Sequence, residues 1–225
     1  MANALSGPVN LLLDRLATAL SGLPWSDVFG ELWTALRRSL RGSAEEGMYE
    51  VLEYASTLEL LDERGLRARF QKHEKVRYLQ SHIIAYQDQA WGDGQILLHY
   101  RCSPGTPVDH YRPGQKTYIL ISLREVRNRG DVDEFKIEWE MKRAFMRPTE
   151  LWETEVNHRT GKLKSQVIFP RDRPPLRLVL IESTAGKTQP VSQEAITQLA
   201  DGRWLVSWET TQPRLNERYQ LKWDW

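Results

Sequence analysis

The chain has 225 residues, 40% hydrophobic and 27% charged, with 31 Lys plus Arg against 30 Asp plus Glu. That is enough apolar material for one large core or two small ones, and a net charge of +1 leaves no whole-molecule field to attract nucleic acid or an acidic membrane. A lone cysteine, Cys102, excludes an internal disulfide; no secretory signal and no membrane-spanning apolar run is readable, so the expected setting is cytoplasmic.

Residues 1–41 carry helical spacing. Val9, Leu12, Leu13, Leu16 and Leu20 follow Pro8; Gly22 to Pro24 break the pattern; Ser26 then caps a second stripe of Val28, Phe29, Leu32, Trp33, Leu36 and Leu40. The pair predicts an amphipathic helical hairpin joined by a linker, residues 42–47, to the rest. Two short helices cannot enclose a core, so Leu12, Leu16, Phe29, Trp33 and Leu36 are candidate contacts to a protein partner or a second copy.

From Met48 the period becomes two. Leu66, Ala68, Phe70, Val76 and Tyr78 alternate with Arg67, Arg69, Gln71, His73, Lys75 and Arg77. A three-residue loop, Glu63-Arg64-Gly65, predicts a hairpin in which Leu60 faces Ala68, Leu58 faces Phe70, Leu52 faces Val76, Glu59 faces Arg69 and Glu53 faces Lys75. Further strands are expected over 96–102, 116–127, 135–145, 151–158, 162–169, 176–182, 204–210 and 218–225, with a short helix over Ser192 to Leu199. About ten closely spaced strands without intervening helices predict a mainly β domain over 48–225, an antiparallel β-sandwich or a barrel-like variant of one. At its end Tyr219, Leu221, Trp223 and Trp225 share one strand face with Arg218, Gln220, Lys222 and Asp224 on the other. That aromatic face reads as core rather than as a platform for ligands.

Chemistry is sparse. Ala185-Gly186-Lys187-Thr188 imitates the end of a phosphate-binding loop, but the glycine needed five residues before Gly186 is Ile181, so the segment reads as a turn. His99 and Cys102 lie three apart on an extended strand, on opposite faces, and form no metal pair; Cys102 is expected to be buried. Asp131 and Asp133 could pair, but nothing near them fixes acid and base roles, so they read as a charged loop. No catalytic set, metal site or cofactor is predicted. The sequence therefore favours a non-catalytic binding or adaptor module. A second reading, carbohydrate binding or hydrolysis, uses the Asp88 to Gly94 loop through Asp88, Trp91 and Asp93. A third, binding of an anion or nucleic acid, uses Arg67 and Arg77, which the hairpin register leaves without partners. The near-neutral charge counts against nucleic acid.

Overall fold

The alternating segments become strands because their apolar positions can all be buried on one face while the main chain is hydrogen-bonded within a sheet. The computed structural model describes residues 47–225. The expected hairpin over 1–41, with Leu12, Leu16, Phe29, Trp33 and Leu36, lies outside the described residues. Fourteen strands follow in order: β1 (Tyr49–Leu60), β2 (Arg67–Tyr78), β3 (Ile83–Ala90), β4 (Gln95–Ser103), β5 (Thr106–Tyr111), β6 (Thr117–Arg127), β7 (Val132–Lys142), β8 (Thr149–Glu155), β9 (Thr160–Phe169), β10 (Arg177–Glu182), β11 (Lys187–Pro190), β12 (Ile196–Gln198), β13 (Trp204–Thr210) and β14 (Arg218–Asp224).

They form three sheets rather than the two of a simple sandwich, and no closed barrel. A seven-stranded sheet runs β12-β13-β9-β1-β2-β7-β4, a four-stranded sheet β11-β10-β14-β8, and a three-stranded sheet β3-β6-β5. The domain is not wholly antiparallel. β1 and β9 pair in parallel from Val51↔Thr160 to Glu59↔Ile168, an arrangement that requires a long crossover, here the entire run of chain from β2 to β8. Where a helix is expected over Ser192 to Leu199, only Gln193–Ala195 makes a single tight turn; Ile196 is already extended and pairs with Val206.

The β1–β2 hairpin has the expected pairs Leu60↔Ala68, Glu59↔Arg69, Leu58↔Phe70 and Glu53↔Lys75. Beyond Glu53 a bulge at Leu52 shifts the register, so that Val51, not Leu52, faces Val76. Gly65 turns the hairpin at φ +66°, and a Cβ there would lie 1.6 Å from the Phe145 carbonyl oxygen, so both the turn and the close approach need glycine.

The two smaller sheets cover different parts of one face of the large sheet. On the rung Leu58–Phe70–Trp139, Phe70 lies 4.9 Å from Trp152 of β8. Two rungs away, Phe135 stacks at 3.9 Å on Tyr86 of β3. Tyr219, Leu221 and Trp223 are buried, and Trp223 meets Phe169 edge-on at 5.3 Å, so the last strand closes the core as its parity predicts. Among the described residues, no helix is long and apolar enough to cross a membrane.

Candidate functional site

The inward face of β2 reads Ala68, Phe70, Lys72, Glu74, Val76, Tyr78, an apolar row interrupted by a cation and a carboxylate. Lys72 and Glu74 are 8% and 5% exposed, and Asp88 of β3 only 2%. Lys72 Nζ donates to Asp88 Oδ1 at 2.6 Å and lies 3.0 Å from Glu74 Oε2. Tyr86 Oη donates to Glu74 at 2.9 Å, and Tyr100 Oη to Asp88 Oδ2 at 2.8 Å. Burial opposes the charge on Lys72, but Asp88 and Glu74 outweigh it and hold the ammonium well above its usual range. Burial chiefly, with Glu74 or Asp88 adding to it, raises Tyr49, Tyr86 and Tyr100 and pushes Tyr54 up to about 12. His158 packs on Tyr49 at 4.3 Å, and its burial lowers its pKa. Every charge of this cluster is matched by a partner and covered by protein, so it stabilises the core and offers no surface to a ligand.

This arrangement separates the residues of the expected Asp88–Trp91–Asp93 loop. Asp88 is on β3, facing inward to Lys72, so a surface role for it is corrected: the strand runs to Ala90, and only Trp91 to Gly94 form the turn. Trp91 is half-buried beneath the Lys116 ammonium, 5.0 Å from its ring centroid, and exposed Asp93 pairs with Arg147 at 3.0 Å. Arg77 is also not the unpartnered cation of the register argument, because Glu50 accepts from its Nε at 2.7 Å. The bulge at Leu52 brings that glutamate opposite it. Arg67 is exposed, its main-chain N–H held by Asp62 at 2.7 Å.

Other motif residues also have local partners. Gly186 turns the β10–β11 hairpin at φ +64°. His99 is exposed with Nδ1 3.5 Å from Glu140, while Cys102 is half-buried rather than buried. Asp133 accepts from Tyr78 and Arg127, whereas Asp131 accepts from the main chain of Asn128. Among the described residues, no group of three or more His, Cys, Asp or Glu could hold a metal ion.

The open site is on the opposite face of the large sheet. Two adjacent rungs, Ala55–His73–Lys136–Ser103 and Thr57–Gln71–Glu138–Arg101, cross β1, β2, β7 and β4 and line a groove of about 580 Å³. The small Ala55 leaves the depression that longer side chains would fill. Elsewhere on this face Arg69 pairs with Glu59 and Glu140, Lys75 with Glu134 and Lys162 with Glu209. In the groove, Gln71 Nε2 donates to Glu138 at 2.7 Å, and Arg101 is exposed opposite Glu138 in the ladder. Lys136 is exposed between His73 and Ser103. The site was not found from sequence because it depends on four strands aligning; its one local signal is the polar row Gln71, His73.

Neither the known protein families nor the curated proteins contain a match to this chain. Among solved structures, it is similar to a putative protease from Parabacteroides distasonis, at 9% identity and a TM-score of 0.50, over 79% of this chain and 40% of that one. An M1 zinc metallopeptidase from Deinococcus radiodurans matches at 10% identity and a TM-score of 0.43, over 78% of this chain and 42% of that one. The chain thus spans about two fifths of the length of these structures, and the likeness to the first is one of fold.

Proposed function

We propose that residues 48–225 act as a non-catalytic binding module whose ligand contacts lie on the outer face of the seven-stranded sheet. The observation that carries this reading is the groove across β1, β2, β7 and β4, the one place described above where exposed polar side chains surround unfilled space. The buried Lys72 cluster supports it from the other side, since its charges are closed over by two sheets. Thr57, Gln71 and Ser103 offer neutral donors and acceptors on a flat, regular surface, which suits an extended polypeptide. A fold shared with part of a chain named as a protease is compatible with that ligand class.

The sugar reading is weakened because Asp88 is buried and Trp91 is covered by Lys116. The test is a selection from a random decapeptide phage library on the immobilised full chain, repeated on Ala55→Trp, which fills the groove, with circular dichroism confirming that the variant is folded. Peptides enriched on the wild type should lose binding to Ala55→Trp. A library that yields none, or peptides that bind both proteins equally, would overturn the reading.

A further inference from the structure

We propose that the groove recognises an acidic side chain of an extended peptide, its carboxylate clasped between Arg101 and Lys136; this rests on the binding-module reading above. Both cations are exposed, and among the described residues neither side chain has a hydrogen-bond or ion-pair partner, unlike Arg69, Lys75, Arg77 and Lys162 on the same face; Arg67, Lys142 and Lys164 also lack an ion pair there, but only Arg101 and Lys136 line the groove. Lys136 faces Ser103 across the ladder and Arg101 faces Glu138, so the two are diagonal neighbours on adjacent strands. Such neighbours lie roughly 7–8 Å apart, a distance over which a guanidinium and an ammonium converge on one carboxylate. Glu138, opposite Arg101 in the ladder, accepts from Gln71 at 2.7 Å on the side away from β4.

Nucleic acid fits this surface less well than an acidic peptide. The groove lining contains no Trp, Tyr or Phe on which a base could stack. Ser103, opposite Lys136, and Thr57, at the β1 side of the groove, supply hydroxyls for a peptide main chain.

The library of the preceding test separates the two claims. The proposal expects that the peptides lost on Ala55→Trp are enriched in Asp and Glu. A fluorescein-labelled enriched peptide should bind roughly tenfold or more weakly when its acidic residue is changed to the amide, when Arg101→Gln and Lys136→Gln are combined, and when salt is raised from low to high. Changing Arg177→Gln, an exposed cation on the four-stranded sheet, should leave affinity unchanged. If enriched peptides carry no acidic bias, or their affinity is indifferent to Arg101 and Lys136, the acidic specificity is wrong while the groove reading stands. If no peptide is enriched, both fail. Tighter binding of a labelled single-stranded oligonucleotide than of any acidic peptide would assign the cations to phosphates and overturn the proposal.

Discussion

Lys72 is the residue on which three otherwise unfavourable burials depend. Its ammonium answers Asp88 and Glu74, and the tyrosine hydroxyls of Tyr86 and Tyr100 complete their coordination. Removing one member of a buried ion pair leaves the others charged and desolvated, at a cost of about 3–5 kcal/mol. Lys72→Met should therefore lower the urea midpoint by an amount equivalent to about 3–5 kcal/mol. A triple variant with Asp88→Leu and Glu74→Leu should recover much of that loss, because no charge is then left unanswered. The pH dependence has a definite sign. Lys72 is raised above its unfolded value near 10.4, so its contribution is fully present below that pH and is lost as pH rises toward the folded value. Tyr49, Tyr54, Tyr86 and Tyr100 act in the same direction, because the unfolded chain releases their protons near pH 10 while the folded chain retains them. Thermal unfolding should shift to lower temperature above about pH 10 in the wild type and less steeply in the triple variant. A wild-type melting temperature that is flat through this range, or a Lys72→Met protein as stable as wild type, would contradict the account.

Among the elements, β14 carries the most consequence for its length. It is interior to the four-stranded sheet, pairing β10 from Arg177↔Asp224 to Glu182↔Tyr219 and β8 from Glu155↔Arg218 to Thr149↔Asp224. Deleting Leu221 to Trp225 would strip β8 of most of its one ladder partner and β10 of one of its two, and uncover Phe169 and Phe145, which pack on Trp223. The expected result is loss of cooperative folding, and Trp223→Ala alone should cost about 3–5 kcal/mol. A truncated protein that kept its near-ultraviolet circular dichroism would show that the strand is dispensable. The parity of this strand was legible in the sequence, as was the β1–β2 register from Leu60 to Glu53, because both follow from alternation and one turn. The bulge at Leu52 was not, since nothing in the local pattern marks one extra residue, and it reassigns Arg77 to Glu50. Neither was the parallel β1–β9 pairing, whose partners are separated by about three fifths of the described chain. Asp88 looked like a loop carboxylate because its neighbours are Gln87, Gln89 and Trp91. The missed signal was on β2, where Lys72 and Glu74 occupy inward positions between Phe70 and Val76. A charged pair on an apolar face implies a buried partner, but only the packing of one sheet on another identifies it as Asp88.

At the scale of the whole domain, the three sheets share one core rather than forming separate ones. Lys72 lies on the rung between the part of the large sheet covered by Trp152 and the part covered by Tyr86, so the ionic cluster occupies the junction of the two smaller sheets. A second tie lies outside it: Lys116, just before β6, donates to Glu155 at the end of β8 while covering Trp91. That pair is partly exposed, and such pairs are worth about 0–1 kcal/mol, too little to hold the sheets together alone. Cohesion must come from the shared inner face, where Phe135, Ile137 and Trp139 of one strand serve both neighbours. The residues from Met48 to Trp225 should then unfold as one unit, as their grouping in a single compact body suggests. Urea unfolding followed by tryptophan fluorescence should share its midpoint with loss of amide protection in β6, and Lys116→Ala should move both together by a small amount. Earlier exchange of β3, β5 and β6, with the tryptophan signal intact, would mean that the three-stranded sheet is a separate folding unit and that the Lys72 cluster can open without the rest.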